Sequence, residues 1–202
     1  MTVYTFGTSR TERRTDTMRK IVNATYMTLD GDIANMQDWH FDYFGEEAAK
    51  AAGAQLFGSD ALIMGRRTYD GFSEAWSARA GADAFADRMN GIEKYVVSST
   101  LQHPTWTNTS VISGDVVAQV RKLKEQPGGD ILQYGFGPVT RLLLDNGLLD
   151  ELRIWLHPVL SGKAEPSELL YRDGIRTGFT LTGTEVHSTG LIILSYAPKE
   201  TA

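Results

Sequence analysis

Apolar residues along this chain fall into short runs separated by mixed stretches, and the period of each run predicts its element. Residues 20–28 (KIVNATYMT) read as a strand and 61–65 (ALIMG) as a buried strand. Residues 94–99 (KYVVSS), 109–113 (TSVIS) and 131–135 (ILQYG) read as three more. Helices fill the gaps. Residues 43–57 (YFGEEAAKAAGAQLF) carry the Ala, Glu, Lys and Gln that fit a helix best, with Gly58 as a C′ stop. Residues 115–126 form a helix capped by Asp115, with basic residues near its end to match the dipole, and 138–146 form another. Residues 150–160 alternate. Leu152, Ile154 and Leu156 lie on one face, and Arg153, Trp155 and His157 on the other, which suits a solvent face or part of an interface. Residues 179–188 and 191–197 form a hairpin across Thr189-Gly190.

Strand–helix alternation closed by a hairpin predicts an α/β fold. Its central sheet is twisted and mostly parallel, with helices on both faces and an antiparallel C-terminal hairpin at the edge. One domain covers residues 19–198. Residues 1–18 are polar, Thr/Arg-rich and aperiodic, and are expected to be a flexible tail. Composition narrows the function. The 202 residues carry a net charge of -5, so no global basic field draws the chain to nucleic acid or an anionic membrane. The absence of cysteine excludes disulfides, thiolate metal sites and cysteine nucleophiles, and is compatible with a reducing cytoplasm. The four histidines show no metal-ligand spacing.

In a parallel sheet, ligands bind beyond the carboxyl ends of the strands. Three such ends stand out. In Met64-Gly65-Arg66-Arg67-Thr68-Tyr69, a glycine closes a strand and two arginines open the next helix. That is the wrong sign for the helix dipole unless an anion sits there; the alternative is a solvated charged loop. Val97-Ser98-Ser99-Thr100 offers hydroxyls at a second strand end. Gly135-Phe136-Gly137-Pro138-Val139-Thr140 breaks a third strand with two glycines and starts a helix on proline, leaving the N–H groups of Val139 and Thr140 to face whatever lies over the turn. This suits a pyrophosphate. It is neither a Rossmann fingerprint, because Thr140 stands where the third glycine is needed, nor a P-loop, because no Gly-Lys-Ser/Thr follows.

These segments carry a family resemblance. Residues 135–143 (GFGPVTRLL), 147–152 (GLLDEL) and 158–162 (PVLSG) resemble the reductase domain of the bifunctional riboflavin-biosynthesis deaminase-reductase, the RibD C-terminal family, which has the dihydrofolate reductase fold. Residues 28–34 (TLDGDIA) are similar to its early Ser-Leu-Asp-Gly-x-x-Ala segment. Residues 64–69 resemble the Met-Gly-Arg-x-Thr segment of dihydrofolate reductases, and Val96–Ser99 their strand-end serines. The resemblance implies NADPH. Gly65, Arg66, Arg67 and Thr68 would hold the adenosine-side phosphates, Ser98 and Ser99 the 2′-phosphate, and Gly135, Phe136, Gly137, Pro138, Val139 and Thr140 the pyrophosphate. Arginines beside hydroxyls favour the extra charge of a 2′-phosphate on chemical grounds as well.

The implied reaction is hydride transfer to a small heterocycle, like the reduction of 5-amino-6-(5-phosphoribosylamino)uracil. The alternatives are a dihydrofolate or pterin reductase, or a non-catalytic NADP(H)-binding module. Asp30 is the first candidate for a proton donor, although Asp-Gly is also a common turn pair. Trp39, Phe41, Tyr43 and Phe44 either stack on a planar heterocycle or pack as ordinary aromatics, and Tyr69 either reaches the nicotinamide or packs. Dihydrofolate reductases place a carboxylate on their first helix after a tryptophan; here Trp39 is present, but Phe44 stands at the acid's place. With no cysteine there is no zinc deaminase signature, so a stand-alone reductase is expected, and the family implies a homodimer.

Overall fold

A computed structural model describes residues 18–171, 174 and 176–199; of the expected tail over residues 1–18, residues 1–17 lie outside them. Eight strands and five helices alternate along the chain: β1 Ile21–Thr28, α1 Glu46–Phe57, β2 Ser59–Gly65, α2 Arg66–Ser77, α3 Ala84–Gly91, β3 Glu93–Val97, β4 Thr109–Ile112, α4 Val116–Glu125, β5 Asp130–Tyr134, α5 Pro138–Asp145, β6 Glu151–His157, β7 Phe179–Val186 and β8 Ile192–Pro198. They form one sheet in the order β4-β3-β2-β5-β1-β6-β8-β7. The first six strands in that order are parallel. β8 runs antiparallel to β6 and to β7.

Parallel strands covered on both faces read as continuous apolar runs, and Ala61–Met64 in β2 is fully buried accordingly. One face packs Ile21, Ile63, Ile131, Leu143 and Ile154 under α4 and α5. The other packs Val22, Leu62, Met64 and Leu132 against Leu56 of α1, Tyr69 of α2 and Met89 of α3. The expected strands are all present. Helix α3 has no counterpart in the pattern reading: it is short, its moment is diluted by Asp87, Arg88 and Asn90, and its clearest marker is the Asp83 cap, which accepts the Ala86 N–H at 2.8 Å.

Three expectations change. The first helix begins at Glu46, because Phe41–Tyr43 forms a separate 3₁₀ turn. Gly58 ends that helix in right-handed rather than left-handed conformation; a Cβ there would stand 2.9 Å from the Ala54 carbonyl oxygen, so close backbone approach is what requires glycine. Trp155 and His157 do not face outward either. Both are buried under their own chain, since β6 is an interior strand.

Charge closes the amino-terminal edge of the sheet. Arg19 pairs with Asp60, and Lys124 with Asp150, whose carboxylate also accepts the Ile21 N–H at 2.7 Å. Farther out, buried Lys94 donates to the carbonyls of Asn90, Ile92 and Thr107 at 2.7, 2.7 and 3.0 Å and sits 4.4 Å over the Trp106 ring, tying β3 to the segment before β4. Lys94→Met leaves three carbonyls without their donor. It is expected to cost about 2–3 kcal/mol of unfolding free energy, measured by urea titration; a loss within experimental error would show that water replaces the ammonium.

Candidate functional site at the carboxyl edge of the sheet

Because six strands are parallel, their carboxyl ends share one edge. β2 and β3 pair Gly65 with Val97. β2 and β5 pair Leu62 with Leu132, and three residues further on Gly65 comes level with Gly135. Val97 and Gly65 end β3 and β2, and Gly135 directly follows β5, so carrying the register on sets the three in one row spanning about 10 Å at the usual strand spacing. Ser98, Arg66 and Phe136 begin the next row outward. The three motifs separated by dozens of residues in sequence are thus neighbours in space.

Two helices start from this row. α2 has Gly65 as its N-cap and α5 has Gly137; neither cap carries a side-chain bond, and neither first turn holds an acidic residue. In contrast, α1 places Glu46 and Glu47 in its first turn. A Cβ on Gly65 would meet Val139 Cγ2 at 3.3 Å, so the two helix starts are in contact. The first intrahelical bond of α5 runs from Arg141 N–H to Gly137 O, which leaves the Val139 and Thr140 N–H groups without an intrahelical acceptor. A Cβ on Gly135 or Gly137 would meet nothing within 4 Å, so the space over the turn is open. Gly135 also needs its glycine for a φ of +76°.

The turn is held from below by a buried polar network. Asn23 Nδ2 donates to Gly135 O at 2.7 Å and to Gln133 Oε1 at 2.9 Å, and Thr25 donates to Asn23 Oδ1 at 2.7 Å. Thr140, fully buried, accepts the Gly137 N–H at 3.2 Å and reaches Gln133 Oε1 and Gly135 O. The Thr140 hydroxyl therefore supports the turn, and only its backbone N–H faces outward. Phe136 packs into the core, so its share in the site is backbone too. Arg66 is exposed and bonded through Nε to both oxygens of Asp70; Arg67 and Ser99 are exposed, and Thr68 is half-buried. Ser98 Oγ accepts the N–H groups of Thr100 and Leu101, shaping the turn after β3.

Beyond β1 and β6 lies a different environment. Asp30 Oδ1 accepts the Thr28 hydroxyl at 2.5 Å and the Ser161 N–H at 3.1 Å, while Oδ2 accepts the Gly162 N–H at 2.8 Å. The Thr28 hydroxyl and the two N–H groups hold this carboxyl down at about 2, so at neutral pH it has no proton to give. In this geometry Asp30 staples the end of β1 to the segment after β6. Asp32, absent from the sequence reading, is fully buried beside it and lines a small cleft of about 100 Å³ with Asn35, Trp39, Ser161 and Lys163.

Trp39 packs edge-on against His157, with ring centroids 4.7 Å apart. Phe44 lies 4.7 Å from His40, and Tyr26 stacks on His40 at 4.5 Å. His40 Nδ1 is 3.0 Å from His157 Nε2, and His157 Nδ1 is 2.9 Å from the Trp155 carbonyl oxygen. Burial, and then mutual repulsion in the charged state, push His40 down to about 4; burial lowers His157 too. Nothing in the sequence marked this pair, because its members are 117 positions apart and make no motif. Tyr69 lies elsewhere. Its side chain is buried, and its hydroxyl accepts the N–H groups of Thr105 and Trp106 at 2.9 and 3.2 Å, so it packs rather than lining the substrate side. A cavity of about 660 Å³ also lies away from these strand ends, between α1 and the Arg153, Trp155, Ile193 and Ser195 face of β6 and β8.

Three comparisons with known proteins bear on this arrangement. Residues 19–193 match the RibD C-terminal domain family. The Bacillus subtilis protein YyaP is 25% identical over 181 residues, covering 88% of this chain and 94% of its own. Among solved structures, a putative riboflavin biosynthesis protein from Shewanella sp. PV-4 superposes with a TM-score of 0.69 at 22% identity, covering 90% of this chain and 99% of its own. The bifunctional diaminohydroxyphosphoribosylaminopyrimidine deaminase/5-amino-6-(5-phosphoribosylamino)uracil reductase of Thermotoga maritima gives 0.62 at 15%, with 90% of this chain matching 57% of that one. These solved structures share the fold predicted from the strand ends. Among the described residues, no helix is long and apolar enough to cross a membrane.

Two outcomes follow from the side chains just placed. Tyr69→Phe strands two N–H groups and is expected to cost about 1–2 kcal/mol in urea unfolding without changing ligand binding at the sheet edge; a binding defect at unchanged stability would return Tyr69 to the site. The second concerns acid. An unfolded histidine takes its proton as pH falls through about 6.5, whereas folded His40 resists until about 4. The unfolded state binds more protons between those values, so stability is lost as pH drops through that window and levels off below it. Unfolding at pH 7, 6 and 5 is expected to lose on the order of 1–2 kcal/mol, with a shallower slope in His40→Phe. A wild-type curve flat across that range would contradict it.

Proposed function

Because the chain belongs to the RibD C-terminal domain family, we propose that it is a reductase that takes NADPH along the row formed by Val97, Gly65 and Gly135 and reduces a small heterocycle lying over the aromatic residues beyond β1 and β6. The observation that carries this reading is the contact between two uncapped helix starts, Gly65 against Val139, beside the open glycine turn. Two helix starts and the Val139 and Thr140 N–H groups meet there with no acid in either first turn, and two exposed arginines open α2, which makes an anion site built from backbone. The residues fit the coenzyme, since the one place where a diphosphate needs to touch the chain is the place without Cβ atoms.

NADPH, when bound, supplies the hydride. The chain supplies position and charge. Val139 and Thr140 N–H groups hold the diphosphate from the α5 side, and Thr68 with the first turn of α2 from the other. Arg66, Arg67, Ser98 and Ser99 take the 2′-phosphate, with Arg66 exchanging its exposed Asp70 contact, worth little in solvent, for the phosphate. Phe44 presents ring surface to the substrate, while Trp39 is buried against His157. The pathway substrate named for the Thermotoga relative, an aminouracil carrying a phosphoribosyl group, is of the class this surface suits.

The test is a fluorescence titration with NADPH and NADH. NADPH is expected to bind at least tenfold tighter, and the Arg66→Ala, Arg67→Ala double variant to remove most of that difference, about 1–3 kcal/mol of charge-assisted bonding. Gly137→Val is expected to abolish binding of both while circular dichroism stays native. Equal affinity for the two coenzymes, or indifference to all three substitutions, would sink the assignment. NADPH binding without oxidation across pyrimidines and pterins would instead identify a non-catalytic binding module.

A further inference from the structure

The hydrogen bonds of the buried histidine pair leave one consistent proton arrangement. The Trp155 carbonyl can only accept, so His157 Nδ1 carries a proton. Burial disfavours the protonated form of His157 by more than the Trp155 and Met27 carbonyls favour it, so the ring is neutral and, with Nδ1 protonated, its Nε2 is a lone pair. His40 Nδ1 stands 3.0 Å from that lone pair and must donate to it. His40 is neutral as well, which leaves Nε2 as a lone pair. Among the described residues no group donates to that nitrogen. The ring is fixed in place by Tyr26 stacked at 4.5 Å with an interplanar angle of 12°, and by Phe44 and Phe41 at its edges. Glu47, the carboxylate at the start of the helix that follows, is turned away and accepts both the N–H and the hydroxyl of Ser188 at 2.6 Å.

We propose that the Trp155–His157–His40 chain is a one-way hydrogen-bond relay that presents His40 Nε2 as a neutral acceptor to the substrate, and that it selects heterocycles offering a ring N–H, such as uracil or pteridinedione rings, over analogues alkylated at those nitrogens. This rests on the reductase reading for the identity of the substrate side. His40 is a binding and specificity residue; His157 is a positioning residue that acts through it. The relay's polarity is set by a backbone carbonyl, which cannot change its role, so the acceptor cannot turn into a donor without breaking two buried hydrogen bonds. A site built this way rejects a ligand lacking the donor, because the lone pair is then left buried and unpaired.

The test uses the intact chain and two probes, lumazine (pteridine-2,4-dione), which has ring N–H donors, and 1,3-dimethyllumazine, which has none. Proton–nitrogen correlation spectra of the histidine rings at pH 7 are expected to show His40 and His157 both protonated at Nδ1. Lumazine is expected to shift the His40 Nε2 resonance and to bind roughly five- to tenfold tighter than the dimethyl probe, one neutral hydrogen bond's worth. His40→Phe removes that difference and His40→Gln, which keeps an acceptor, restores part of it. His157→Phe, which frees the His40 tautomer, lowers lumazine affinity without touching the dimethyl probe. Either ring protonated at Nε2, equal binding of the two probes, no binding of either, or lumazine affinity untouched in His40→Phe would overturn the proposal. Should a variant fail to fold, the wild-type tautomers and shifts still decide it. NADPH titration of His40→Phe separates the two readings: wild-type coenzyme affinity with lost lumazine preference supports the relay, whereas lumazine selectivity without any NADPH binding removes the reductase reading and leaves the relay standing.

Discussion

The side-chain amide of Asn23 holds the edge of the sheet in its working shape. It lies fully buried on β1 and donates both to the Gly135 carbonyl and to Gln133 on the neighbouring strand. A buried amide without partners costs a few kcal/mol, so its bonds fix the height and direction of the glycine turn as firmly as a packed side chain would. Thr140 does the same from the helix, using its hydroxyl to satisfy the turn's inner polar groups. The inner side of the turn is therefore saturated from below. Its outer side keeps the N–H groups that a helix cannot satisfy for itself, and these are what an anion can use.

The two edges of the sheet divide the labour. At the amino edge, ion pairs join Arg19 to Asp60 and Lys124 to Asp150, and each partner also bonds backbone. At the carboxyl edge β2 ends on Gly65 and Gly135 follows β5, and both give up packing for access. The carboxyl edge is itself split. Over β3, β2 and β5 it is cationic and backbone-lined. Over β1 and β6 it is aromatic, and its two low-lying carboxylates are taken up by backbone: Asp30 holds Ser161 and Gly162, and Asp32 accepts the N–H groups of Ala34 and Asn35.

Much of this was legible in the sequence because it is local. The Gly-Phe-Gly-Pro break announces both a turn that must come close to something and the helix that follows, and Gly65-Arg66-Arg67 announces a helix start of the wrong sign for its dipole. Parallel topology then brings them into one row without further information. What stayed hidden depends on pairs far apart in the chain. Asp30 reads as half of an Asp-Gly turn until Ser161 is seen to bond it. Tyr69 reads as a site aromatic until the backbone of Thr105 and Trp106 is seen to occupy its hydroxyl. His40 and His157 carry no spacing signal, and the alternation that placed Trp155 and His157 together on one face says nothing of which element covers it. Here the cover is the chain's own segment around Trp39 and Phe44 rather than solvent or a second protomer.

Dihydrofolate reductases keep a carboxylate on the first helix, and on the reductase reading proposed above its replacement here is a change in the kind of recognition. A carboxylate in a dry aromatic site attracts cationic rings and pairs strongly with protonated or amidine-like groups. Phe44 stands at that place, and in the proposed relay the polar contact passes to His40, whose ring is neutral across the physiological range because burial and its histidine neighbour both oppose a charge. A neutral acceptor gains nothing from substrate charge and depends on direction, so it discriminates by where a ring N–H points. On the proposed reading, the same fold would serve a neutral, oxygen-rich heterocycle by exchanging an ionic contact for an oriented one, the exchange being made by a backbone carbonyl on β6 acting through two imidazole rings.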